Sequence, residues 1–328
     1  MGKLKRKKLA NALGRLLTKV DKRKEKERRA NAHTENSERA KQGQIKKISP
    51  KTSHVRPQYN SKDRILLVGE GNFSFARSLC ENYLEEGAEH LVATCYDSEE
   101  VLYEKYSEEA KENVELVREF GATVLFGIDA TDFPKEIKKK KYTKIVFNFP
   151  HVGAGIKDQD RNVIANQKLL NGFLDAATPL LTKAGYQFPN TEENLRISDD
   201  EPAPEGEIHI TLKTSKPYNL WAVKSLVKAK GELAVKSTSP FYVDDFPGYE
   251  HRRTLGFKKG LSKDENAEII SSEPKRYVFV RKEVMEGEIQ NSIKGSQKRK
   301  LEDLKAKMGK KVKRKKTDDL QPNDEDDG

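Results

Sequence analysis

The sequence predicts an α/β fold: a doubly wound, mostly parallel sheet that ends in an antiparallel terminal strand pair. Three observations predict it. Ile65-Leu66-Leu67-Val68 is a continuous apolar run, as expected of a strand covered on both faces. Apolar runs and helical stretches then alternate as far as Leu181, the pattern of strands joined by crossover helices. Beyond Leu233, two strand-like runs, Leu233 to Pro240 and Arg276 to Arg281, follow each other with no convincing helix between them. Such strands pair antiparallel or join through a long loop.

In chain order, residues 1–62 are polar, basic and poor in aromatics, with helical potential from Leu4 to Ala32 but no second apolar face to cover it. This stretch reads as a tail that is disordered or folds on RNA. The ordered domain spans 63–284. After the first strand a helix runs from about Ser74 to Tyr83, a strand from His90 to Tyr96, a helix from Val101 to Phe120 and a strand from Thr123 to Gly127. A short helix near Lys135 leads to a strand from Lys144 to Phe149, and a helix from about Ile164 to Leu181 follows. The Pro-, Asp- and Glu-rich segment 187–205 reads as an insertion loop. GEIHITLKT, Glu207 to Thr214, supplies a fifth strand, and Leu220 to Lys230 a helix. Residues 285–328 form a second tail, basic and then acidic.

Composition bounds the function. Of 328 residues, 35% are charged and 35% hydrophobic, too polar for the whole chain to be packed core. The formal charge of +11 is concentrated at the two ends, which points first to nucleic acid, with merely solvated tails as the alternative. Lys310 to Lys316 also reads as a nuclear-entry cluster, and the acidic terminus from Asp318 to Asp327 as its shield. Two cysteines, Cys80 and Cys95, both inside core elements, indicate a reducing compartment. No apolar run has membrane-spanning length, and no secretory signal is present. No metal site is expected.

The residues with chemistry sit at strand ends, where open α/β sheets bind ligands. In GEGNFS, Gly69 and Gly71 leave backbone bare between strand and helix, and Glu70, Asn72, Phe73 and Ser74 complete the turn. Ser74 replaces the third glycine of a dinucleotide fingerprint and also suits a helix N-cap. Asp97 ends the second strand twenty-eight positions after Gly69, where an acid accepts hydrogen bonds from ribose hydroxyls in NAD and S-adenosylmethionine enzymes alike. Asp129 follows the third strand, where an acid holds the adenine amino group; it suits a turn equally. Taken jointly with the antiparallel end of the sheet, these positions favour S-adenosylmethionine and a class I methyltransferase.

Asn148-Phe149-Pro150-His151 ends the fourth strand and looks like the N-P-P-aromatic corner that holds a target nitrogen in amino-group methyltransferases. Phe149 and His151 depart from that pattern and put an exocyclic amine in doubt. An imide nitrogen has no free lone pair until its proton leaves, so a base is wanted; His151, Asp158 and Asp160 are the nearest titratable groups. The two aspartates serve equally as caps of the next helix, and His151 as a packed or surface histidine.

GEGNFSFARSL, NFPHVGAGIKDQDRNVIANQKLLNGFL, GEIHITLK and FPGYEHRRT, in this order, resemble the Rossmann-like ribosomal RNA uridine-N3 methyltransferase family of fungi and plants over about Arg64 to Lys282. The resemblance implies S-adenosylmethionine as donor, N3 of a uridine in large-subunit ribosomal RNA as acceptor, and a nucleolar monomer. It makes Gly69, Glu70, Gly71 and Asn72 the donor-binding turn, with Glu70 facing outward, and Asn148 to His151 the wall facing the target. An unpaired or extruded base needs rings and cations, and Phe246 to Phe257 offers Phe246, Tyr249 and His251 for stacking with Arg252 and Arg253 for phosphate. The same loop also suits packing its own aromatics. A catalytically silent RNA-binding assembly factor on this fold is the competing reading.

Overall fold

The computed structural model describes residues 59–188, 202–254 and 265–318, with residues 265 and 301–318 described by backbone alone. The N-terminal tail as far as residue 58, most of the 187–205 insertion and the acidic terminus lie outside the described residues.

Seven strands form one sheet in the order β3-β2-β1-β4-β5-β7-β6. They are β1 (Ile65–Val68), β2 (Leu91–Thr94), β3 (Thr123–Leu125), β4 (Lys144–Asn148), β5 (Glu207–Leu212), β6 (Leu233–Pro240) and β7 (Lys275–Arg281). β1 to β5 pair in parallel, and β7 runs antiparallel to both β5 and β6. This is the expected doubly wound sheet with an antiparallel terminal pair. β2, β3, β4 and β5 each end one or two residues before the runs expected of them, where the chain turns into the loops past the ladder.

The crossovers are α1 (Ser74–Leu79), α2 (Glu99–Glu119), α3 (Lys135–Lys138), α4 (Gln159–Ala177) and α5 (Val223–Lys230). α6 (Glu265–Ser271) precedes β7. All four residues of β1 are fully buried or nearly so, and its alternation divides them. Ile65 and Leu67 join the core beneath α1 and α2 with Leu79, Leu102 and Val114. Leu66 and Val68 join the opposite core with Ile145, Phe173 and Ile208. Cys80 and Cys95 are free buried thiols, and burial pushes both up to about 12.

The C-terminal segment departs from expectation. Where the sequence reading places a disordered tail, α7 (Lys282–Asp318) is one continuous helix. Its Lys, Glu and Leu content favours helix intrinsically, and no proline interrupts it. Its side chains described as far as residue 300 are mostly exposed. Among the described residues, no helix is long and apolar enough to cross a membrane.

Candidate functional site

One cavity of about 720 Å³ opens at the carboxyl ends of β1, β2 and β4. That volume is in the range of small-molecule sites. Its floor is the glycine turn. Gly69 has φ +68°, and a Cβ there would stand 2.5 Å from the Phe147 ring. A side chain is therefore excluded by both conformation and space. Gly71 meets only ordinary contacts, with Tyr106 Oη at 3.7 Å and Arg252 at 3.8 Å, so its bareness serves the cavity rather than the packing.

Glu70 turns inward, contrary to expectation. Its Oε2 accepts the Ala76 N–H at 3.2 Å and so satisfies a free donor of the first turn of α1, while burial pushes the carboxyl up to about 7. Asn72 lines the cavity and is fixed by Glu109 and Ser74. Phe73 and Ser74 do not line it. Phe73 is a core residue packed edge-on to Phe126. Ser74 is no N-cap either, since Phe73 occupies that position with φ +59°. Its hydroxyl exchanges hydrogen bonds of 3.0 Å with the backbone of Glu250, tying the glycine turn to a loop 176 positions away.

Asp97 and Asp129 both line the cavity, as expected of them. The Lys105 ammonium holds both carboxylate oxygens of Asp97, at 2.7 and 2.8 Å. Asp129 Oδ1 accepts from the Thr131 N–H and hydroxyl, so the turn role is real and one oxygen remains beyond it.

Across the cavity stands the β4 corner. Phe149 has φ +50°, a strained value for a bulky residue, and its N–H bonds the Thr211 carbonyl at 2.8 Å. This reversal leaves Asn148 and His151 on the cavity wall and sends Pro150 into the interior, away from it. Asn148 Oδ1 accepts the Thr211 hydroxyl at 2.7 Å, and its buried Nδ2 has no partner among the described residues. His151 Nδ1 accepts the Gly153 N–H at 2.9 Å. Burial and then the Lys213 charge hold this imidazole below the usual histidine range.

Asp158 and Asp160 are not part of the site. Asp158 is the N-cap of α4, accepting the Arg161 N–H at 2.8 Å, and Asp160 is an exposed first-turn acid. Asp158 thus takes the cap role that the sequence also allowed it, and neither aspartate lines the cavity.

The loop after β6 also differs from expectation. Phe246 is a core residue stacked on Phe241, with ring centroids 5.3 Å apart, and Tyr249 is buried against Phe75. Neither ring is free for a base, although Tyr249 touches the cavity. Arg252 is held by Glu109 and Glu250, and exposed Arg253 by Glu268, so both guanidinium groups have carboxylate partners. His251 lines the cavity with its ring 4.8 Å from that of Phe149, and burial takes it down to about 3.

Lys213 and Thr211 escaped the sequence reading. The signal was the alternation in IHITLK: Ile208, Ile210 and Leu212 fill one core, which sends His209, Thr211 and Lys213 to the opposite face. Lys213 is buried there, its Nζ on Glu268 at 2.8 Å, and its charge disfavours protonation of both His151 and His251.

Residues 66–253 match the family model described as rRNA (uridine-N3-)-methyltransferase, BMT5-like. Among similar curated proteins, the 25S rRNA (uridine(2634)-N(3))-methyltransferase of Saccharomyces cerevisiae is 31% identical over 77% of this chain and 85% of its own. An uncharacterised Arabidopsis thaliana protein is 34% identical over 61% of this chain and 87% of its own. Of solved structures, a methyltransferase from Pyrococcus furiosus covers 69% of this chain and 77% of its own, at 14% identity and a TM-score of 0.37.

Proposed function

We propose, from the premise that the chain belongs to the BMT5-like rRNA (uridine-N3-)-methyltransferase family, that it transfers a methyl group from S-adenosylmethionine to N3 of a uridine in large-subunit ribosomal RNA. One observation supports this most: a single cavity joins the glycine turn and Asp97 to the Asn148 and His151 corner, so donor and acceptor share one space. When bound, S-adenosylmethionine supplies an electrophilic methyl on a positive sulfonium.

The residues present fit that donor. Gly69 and Gly71 let a ligand lie against bare backbone. The Asp97 carboxylate, oriented by Lys105, is placed to accept ribose hydroxyls, and the second oxygen of Asp129 to accept an adenine amino group. Asn148 and His151 face the incoming base. N3 lies on the Watson–Crick edge, so the uridine enters unpaired or flipped out. The basic tails add phosphate contacts that vary with salt rather than sequence. We place the protein in the nucleus, at the nucleolus, acting as a monomer on ribosomal RNA or its precursor particle.

Mass mapping of ribosomal RNA nucleosides from cells lacking the protein tests this. Loss of a single 3-methyluridine from large-subunit RNA is expected; an unchanged nucleoside map overturns the reading. Calorimetry with S-adenosylmethionine separates the enzyme from a silent assembly factor, which binds none.

A further inference from the structure

At the β4 corner, the groups able to meet a base are hydrogen-bond donors. Asn148 Oδ1 is occupied by the Thr211 hydroxyl, which leaves the unpartnered Nδ2 as the amide's remaining group. His151 Nδ1 receives the Gly153 N–H, so in the neutral ring the proton sits on Nε2. Protonating Nδ1 would break that bond, and burial and the Lys213 charge oppose protonation as well. A histidine in this state donates through Nε2 and has no lone pair there to take a proton.

The charged and titratable groups around the corner are Lys213 just past β5, Glu268 from α6, Lys168 and Asp175 from α4, and Glu250, His251, Arg252 and Arg253 from the loop after β6. Glu268 is engaged by both Lys213 and Arg253, which take its carboxyl down to about 2 despite the opposing effect of burial. It is therefore a fixed anion and no acceptor of protons near neutrality.

We propose that this corner binds uracil as its N3-deprotonated imidate, with Asn148 Nδ2 and His151 Nε2 donating to the two carbonyl oxygens that flank N3 and Lys213 stabilising the negative charge from behind. The inference rests on the uridine-N3 reading and adds the form of the base that reacts. The imide proton leaves to water, without a side-chain base. The N3 electron pair then forms the N–C bond as the methyl C–S bond breaks, and that bond's electrons stay on sulfur. Anion and sulfonium cancel each other, a step favoured by fixed dipoles around the reacting atoms. The same donors reject cytosine and adenine, whose exocyclic amines would set donor against donor.

The test is single-turnover methyl transfer by the full chain, with saturating S-adenosylmethionine, to unmethylated large-subunit RNA transcripts made with uridine or with 5-fluorouridine. The ring fluorine makes N3 more acidic. The wild-type rate is expected to climb with pH along one ionisation, which moves to lower pH on the fluorinated RNA. Asn148→Ala and His151→Phe are expected to slow transfer to uridine RNA on the order of a hundredfold, as removal of a preorganised donor does, and to slow transfer to 5-fluorouridine RNA much less. His151→Gln, which keeps an N–H, retains more rate than His151→Phe. Lys213→Met shifts the ionisation upward, and Lys213→Arg, which keeps the charge, does not.

An ionisation that ignores the fluorine overturns the proposal, and so do equal losses on both RNAs. An inflection near pH 7 that disappears in Glu70→Gln would identify a protein base and overturn it too. If the wild type binds donor yet methylates neither RNA, the uridine-N3 reading falls and takes this inference with it.

Discussion

Around the ends of β1, β2 and β3 the cavity wall offers carboxylates, Glu70, Asp97 and Asp129, whereas around the ends of β4 and β5 it offers the amide and imidazoles of Asn148, His151 and His251 with Lys213 behind them. The first half suits a cationic, hydroxyl-rich ligand and the second an electron-rich base. The two halves also differ in how their polar groups are held. The acids are anchored by neighbours within a few positions: Asp97 by Lys105, Asp129 by Thr131, Glu70 by Ala76. The target half is anchored across the sheet, Asn148 by Thr211 and Lys213 by Glu268. The carboxylates of the donor half are thus oriented by local contacts, while the target half exists only after β5 and α6 have packed.

That contrast can be broken from either side. The largest effect is expected from Gly71→Arg, which fills the cavity floor where the protein itself leaves room: donor affinity should fall more than a hundredfold by calorimetry, with the circular dichroism of the fold unchanged. Retained binding would place the donor elsewhere. Asp97→Ala removes a charged acceptor whose hydrogen bonds contribute about 1.5–3 kcal/mol. Donor affinity should drop roughly tenfold to a hundredfold, while RNA affinity in a filter-binding assay stays put; parallel losses would mean that the halves are not separable.

Asp158→Ala belongs to neither half. Loss of the cap should cost about 1 kcal/mol in urea unfolding, with the transfer rate unaltered. A large drop in rate at unchanged stability would return Asp158 to the site.

The smallest effect concerns Glu70 in the donor-free protein. Its carboxyl is raised from 4.5 to about 7, chiefly by burial, with the Ala76 N–H opposing. A carboxyl raised on folding favours the native state below its unfolded value, and that contribution is lost as pH rises through the folded value. Tm should therefore sag between pH 4.5 and 7 in the wild type and less so in Glu70→Gln. Identical slopes would show Glu70 to be solvated.

Much of this molecule was legible one residue at a time. The buried run at β1 and the alternation that continues to α4 made the sheet legible, because burial on one or both faces leaves a period in the chain; the short helix α6 before β7 left no such period and was missed. The glycine turn and the acid after β2 were legible because they use backbone conformation and position along a strand. Ser74, Phe246 and Arg252 all look available in sequence, and each has a partner in the fold that the local pattern does not show. Ser74 is consumed by Glu250, Phe246 by Phe241 and Phe75, and Arg252 by Glu109, 143 positions distant.

The amino-acid sequence by itself therefore determined the strands, their mostly parallel pairing and the bare turn at the mouth of β1, since each follows from local periodicity and local φ/ψ preference. Only the tertiary structure decided which polar groups remain unpartnered. A hydroxyl, guanidinium or amide is committed or free according to what the fold brings within hydrogen-bond reach, and that partner lies far along the chain. This is why the Asn148 Nδ2 and the buried charge of Lys213 became visible only once the fold had brought Thr211 and Glu268 beside them.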